Sequence, residues 1–134
     1  MKITRIEKWK VVVPMRSDSI NSPEYTSEDD ELSTFWKVPK HIVRIHTSDS
    51  GIVGIGETGR GCPAEAVDQG IAALTGMEVE RIDLHRIPVP GGAYGAFEMA
   101  IFDVVGKMLG VTAARLLGQQ VRDKVLVDYW TGRR

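Results

Sequence analysis

The 134 residues predict an α+β fold, a three-stranded antiparallel meander followed by a helical segment. Three observations carry this. Three early stretches alternate apolar and polar side chains, the period of a half-buried strand. Later stretches repeat apolar residues three and four positions apart, the period of a helix. Strands come first and helices second, the segregation that marks α+β chains.

The first strand is Ile3 to Val13, rich in β-branched side chains and closed by Pro14, which cannot donate to a ladder. From Arg16 to Lys37 the sequence turns polar, without a sustained period, and carries the acidic run Glu28-Asp29-Asp30-Glu31. A loop of about 20 residues inside a compact domain is usually functional or disordered. Tyr25, Phe35 and Trp36 give it aromatic anchors and favour a lid. Lys40 to Thr47 alternates again, with Ile42, Arg44 and His46 on one face and Val43 and Ile45 on the other. Ser48-Asp49-Ser50-Gly51 reads as a turn cluster, with Gly51 free to take positive φ. Ile52 to Glu57 is the third strand.

Pro63 suits the first position of a helix in which Val67, Gly70, Ile71 and Leu74 form one stripe, closed by Thr75-Gly76. Met77 to Pro90 reads as irregular. The next helix spans Ala93 to Leu109. Phe97, Ala100, Ile101, Val104, Val105 and Met108 line one side; Met99, Phe102, Gly106 and Leu109 line nearly the opposite one. Asp103 and Lys107 form an i,i+4 pair. A helix apolar on two sides must be covered on both. The sheet can cover one, and the other needs a second body. Thr112 reads as the cap of a short helix over Ala113–Leu117, closed by Gly118. Lys124 to Trp130 reads as a strand without a nearby partner.

Hydrophobic residues make up 43%, charged residues 26%, and the net charge is −1. No clustered basic surface is visible, which argues against a nucleic-acid partner. No apolar run reaches the roughly 18 residues of a membrane span, and no signal-peptide core is present, so no membrane and a cytoplasmic place are expected. Cys62 is the sole cysteine, which rules out an internal disulfide and suits an inert thiol. Gly54-Ile55-Gly56-Glu57-Thr58-Gly59 fits G-x-G-x-x-G, but its strand belongs to a hairpin and no helix follows directly, so a nucleotide site is not expected. His41 and His46 fall on opposite strand faces and His85 stands alone, so they do not make a metal site. The acidic run lacks the spacing of a calcium loop.

Several blocks resemble the N-terminal capping domain of the enolase superfamily, in its mandelate racemase and muconate lactonizing enzyme branch. They are Met1-Lys2-Ile3-Thr4-Arg5-Ile6-Glu7, the hairpin Gly51-Ile52-Val53-Gly54-Ile55-Gly56-Glu57, and the helix from Ala96-Phe97-Glu98-Met99-Ala100 through Asp103, Gly106-Lys107 and Gly110. Arg115-Leu116-Leu117-Gly118 and Val121-Arg122-Asp123-Lys124-Val125 match the run that leads into the family's barrel. The resemblance covers nearly the whole chain apart from the polar loop. Thr112, Gln119, Ile55 and Phe102 depart from the usual residues in ways that affect packing.

The resemblance implies that residues 1–123 are an enolase-like N-terminal capping domain, with 16–37 as a variable specificity loop. Residues 124–134 would be the start of a (β/α) barrel, the first strand of a TIM barrel whose remainder is missing. It implies a magnesium-dependent enzyme that abstracts the proton α to a carboxylate, with the Mg2+ ligands and catalytic bases outside this chain. A sugar-acid dehydratase is the favoured activity, with a racemase or cycloisomerase as the alternative. A stand-alone, non-catalytic binding domain is the reading from another class. Two loops, Arg16–Trp36 and Thr58–Pro63, would close over the barrel mouth. Arg16 and Arg60 would contact a small carboxylate or sugar-acid substrate, since a guanidinium holds a carboxylate bidentately. Tyr25 and Trp36 would supply walls, and Asp128, Tyr129 and Trp130 would end the barrel strand near the mouth. The expected partners are the barrel, the substrate and further copies in a homo-oligomer.

Overall fold

Three strands pair in sequence order in the computed structural model, which describes residues 1–14, 37–118 and 120–126. They are β1 (Ile3–Pro14), β2 (Lys37–Thr47) and β3 (Val53–Glu57), joined in one antiparallel sheet in the order β1-β2-β3. The alternation read in the sequence survives as a two-faced sheet. Val43 and Ile45 point into the core, while Arg44 lies exposed on the other face, 5.1 Å from the Trp9 ring centroid. That spacing is a cation–π contact.

β2 begins at Lys37, three residues earlier than the alternation predicts, and so carries Pro39. Proline argues against a central strand because it cannot donate. Here β3 pairs only as far as Ile42, so Pro39 has a strand neighbour only in β1, opposite Val12. The turn also differs. Gly51 does not take positive φ; its N–H instead donates to Asp49 Oδ1 at 2.9 Å, and the Asp49 side chain stabilises the turn.

After the sheet come α1 (Ala64–Leu74), a single 3-10 turn at Val79–Arg81, α2 (Tyr94–Leu109) and α3 (Ala113–Leu117). Pro63 is the N-cap of α1, one place before the position expected for it. Thr112 occupies the N-cap position of α3 without a side-chain hydrogen bond, so it does not cap the helix as expected. The segment read as irregular does structural work. Ile3 N–H donates to Met77 O and Val79 N–H to Met1 O, which clips the start of β1, and Ile82 and Ile87 are buried.

The core lies between the sheet and α2. Phe97, Ala100, Ile101 and Val104 are fully buried there with Ile3, Val43 and Ile45. β3 approaches α2 unusually closely. A Cβ on Gly54 would lie 2.1 Å from the Ala100 carbonyl oxygen, and one on Gly56 would lie 1.8 Å from that of Ala96. Gly54 and Gly56, the first two glycines of the G-x-G-x-x-G string, therefore serve strand-to-helix packing, whereas a Cβ on Gly59 would meet nothing within 4 Å.

β3 is an edge strand, and an unpaired edge is an invitation to wrong pairing. The Asp103–Lys107 pair closes it. Ile55 N–H donates to Asp103 Oδ2 at 3.1 Å, Lys107 Nζ donates to Val53 O at 2.6 Å, and the two side chains meet at 2.8 Å. The pair read from the sequence as a helix-surface contact is thus a bridge from α2 to the sheet edge.

The second side of α2 is only partly covered. Met99 and Leu109 are 47% and 58% exposed, whereas Phe102 is buried. Gly110, in the left-handed region, turns the chain so that Val111 and α3 fold back beside Gly106. Phe102, expected to await a second body, is already only 7% exposed. Lys124, Val125 and Leu126, expected to begin a strand, show none, and Leu126 is fully exposed. Among the described residues no strand lies beside them, so there is no ladder to define one. The rest of that expected strand, with Asp128, Tyr129 and Trp130, lies outside the described residues.

Candidate functional site

The strand register brings both expected loops to one end of the sheet. Pro14 pairs with Lys37, so the segment between them leaves and returns at that end. Glu57 pairs with Ile42, so the loop from Thr58 starts beside the same half of β2. Arg16, Tyr25 and Trp36 lie outside the described residues. Arg60 is described: it is half-buried in the second loop.

That second loop is firmly tied. Thr58 N–H donates to His41 O at 2.9 Å, and His41 N–H donates to Thr58 Oγ1 at 2.9 Å. Gly61 N–H donates to Pro39 O at 3.2 Å, with Gly61 at φ 73°, a conformation that favours glycine. These bonds extend the β2–β3 ladder past Glu57 and tie the loop to β2 on both sides of Arg60. Lys40 and Glu57 form an ion pair at the same end, on the outer face. Cys62 is half-buried, and burial pushes its thiol pKa up, away from the reactive thiolate.

His41 and Thr58 are the residues at this end that sequence reasoning passed over. His41 lies on the strand face opposite to His46, as expected. Its burial could have been read from the alternation, because it shares the core-facing parity of Val43 and Ile45. Thr58, 2% exposed, follows the third strand directly, where a side chain can still reach the ladder.

Elsewhere, a groove of about 570 Å3 runs along the second side of α2, with Met99, Phe102, Gly106, Val111 and Leu117 along it and Glu98, Asp103 and Lys107 among the lining residues. On the outer face of the sheet Glu7 lies 2.7 Å from His46 Nε2 and 2.6 Å from Arg5. The His46 hydrogen bond, with the Arg5 charge behind it, holds the Glu7 carboxyl below its ordinary pKa. Among the described residues no group of three His, Cys, Asp or Glu side chains could hold a metal ion. Among them, too, no helix is long and apolar enough to cross a membrane.

The geometry names no chemistry by itself; the relatives do. The chain is 32% identical over 117 residues to the D-galactonate dehydratase of Pectobacterium atrosepticum, covering 76% of this chain and 31% of the relative. It is 32% identical over 116 residues to the enzyme of that name from Ralstonia nicotianae, covering 75% and 30%. The chain is thus similar, over about three quarters of its length, to proteins named D-galactonate dehydratase. The enzyme of that name from Klebsiella pneumoniae is 33% identical over 116 residues, at 74% of this chain and 30% of the relative. The chain thus spans about a third of the length of these curated relatives. No family model matches the sequence, and no solved structure matches it. The three-stranded sheet followed by helices agrees with an enolase-like N-terminal domain.

Proposed function

We propose that this chain is the substrate-capping part of a magnesium-dependent sugar-acid dehydratase. The observation that carries the reading is the kinship with D-galactonate dehydratases over about three quarters of the chain. The register supports it, because both expected specificity loops depart from one sheet end. Magnesium would stabilise the enediolate formed when the proton α to the carboxylate is removed. Its ligands would lie outside this chain, whose own share would be to hold and enclose the substrate. Arg16 and Arg60 would hold the carboxylate or hydroxyls of the substrate, and Tyr25 and Trp36 would wall the site from water. Excluding water strengthens every charge interaction inside the site.

The groove along α2 supports a second part of the reading. An exposed apolar stripe on a helix marks a surface that something covers. A barrel supplied by the remaining length seen in the relatives would cover Met99, Leu109 and Leu117. The whole protein incubated with D-galactonate and other sugar acids, with magnesium, is expected to release 2-keto-3-deoxy acids. Turnover of none of them, with racemisation or cycloisomerisation of another acid instead, would replace dehydration by the alternative chemistry. Absence of all three activities would favour a non-catalytic binding domain.

A further inference from the structure

We infer that Thr58 is a positioning residue, which through His41 sets where the Arg60 loop stands at the sheet end. This deepens the proposed function and rests on its reading of Arg60 as a substrate contact.

The argument starts from the end of β3. After Glu57 regular pairing stops, yet the chain must pass Arg60 and reach the start of α1 at Ala64 within a few residues. Thr58 is 2% exposed and makes two hydrogen bonds with the same residue. Its N–H donates to His41 O, and its hydroxyl accepts from His41 N–H, each at 2.9 Å. The side chain thus stands in for a strand partner that β3 no longer provides. His41 is a firm anchor, since it is 6% exposed and lies in β2 between β1 and the Thr58 loop. Arg60 follows two residues after Thr58, and Gly61 N–H closes the loop onto Pro39 O. Arg60 is therefore held between two tethers to β2. A loop whose backbone is already held loses less conformational freedom when its arginine binds an anion, so the tether serves affinity. A buried hydroxyl acceptor is also irreplaceable by a methyl group of the same shape, because His41 N–H would lose its only bond to that side chain.

The test uses the whole protein and three variants. Thr58→Val keeps the shape and removes the acceptor; Thr58→Ser keeps the hydroxyl; Arg60→Met removes the charge itself. For Thr58→Val the Gly61 amide is expected to exchange hydrogen about tenfold faster, and KM for D-galactonate to rise about tenfold with kcat within about twofold. Thr58→Ser is expected to restore both, which a general loss of stability would not produce. Arg60→Met is expected to raise KM at least as much while leaving exchange at Gly61 unchanged. If Arg60→Met raises KM and Thr58→Val changes neither KM nor exchange, the inference is overturned and the reading of Arg60 stands. If Arg60→Met leaves KM unchanged, that reading fails and the inference fails with it. The exchange measurement needs no substrate, so unchanged protection at Gly61 in Thr58→Val is by itself sufficient to reject the tether.

Discussion

Replacing Gly56 by alanine places a methyl carbon where the structure has no room. The new Cβ would sit 1.8 Å from Ala96 O and 2.8 Å from Ala96 C, and both are helix backbone. Ordinary contact begins near 3.4 Å, so β3 or α2 must retreat by more than an ångström along their whole interface. A flexible side chain could swing away at small cost, but a helix backbone cannot. Overpacking a well-filled core costs about 1–3 kcal/mol and occasionally more, and two rigid backbones put this case near or above 3 kcal/mol. At this chain length that lowers Tm by roughly 10 °C. Gly95→Ala is the control of opposite sign. It lies in the first turn of α2 with nothing within 4 Å of the added carbon, and without positive φ. It is expected to stabilise by about 0.5–1 kcal/mol through helix propensity. Urea titration followed by circular dichroism separates the two. A Gly56→Ala protein as stable as wild type would refute the close strand-to-helix approach, and with it the explanation of the glycine string.

Asp103→Ala removes the acceptor of Ile55 N–H and the partner of Lys107 together, for an expected loss of about 1–2 kcal/mol, whereas Lys107→Met, at a half-exposed site, costs about 1 kcal/mol or less; denaturant midpoints order the two. The depressed pKa of Glu7 means that its interactions with His46 and Arg5 stabilise the fold above the ordinary carboxylate pKa and are lost as pH falls through the lowered value. Glu7→Gln should therefore flatten that part of the acid limb of stability against pH, with little change near neutrality beyond a constant offset. The amino terminus behaves oppositely: its pKa is raised chiefly by the Glu80 hydrogen bond, so its contribution is present at neutral pH and fades at alkaline pH. Acetylating Met1 should remove that alkaline dependence. The Cys62 thiol should react with a disulfide reagent at neutral pH about tenfold more slowly in the folded protein than in urea, because burial disfavours its thiolate.

The strand faces and the α2 stripe were legible because period alone decides them. Val43, Ile45, Phe97, Ala100, Ile101 and Val104 are buried where alternation and helical spacing put them. Three features were not legible, for a common reason: each depends on an approach between segments that no local pattern reports. Nothing local in Gly54 and Gly56 reports the carbonyls of Ala100 and Ala96. Nothing in Asp103 and Lys107 reports a strand edge some 50 residues earlier, at Val53 and Ile55. Phe102 looked like a residue awaiting a second body because the fold-back after Gly110 has no signature stronger than a glycine. At the candidate site, the register alone gathers the two loops, and register follows from the alternation. Thr58 escaped notice because a side chain continuing a ladder looks, in sequence, like any residue after a strand.

The oxidation of Met99 by dilute peroxide in the whole protein, folded and unfolded, probes the second side of α2 most directly. Here that side chain is 47% exposed beside an open apolar groove. If a barrel lies against it, the sulfoxide should form at least about tenfold more slowly in the folded protein than in urea. Oxidation in the folded protein as fast as in urea would show that nothing covers this flank, and the capping arrangement would be wrong.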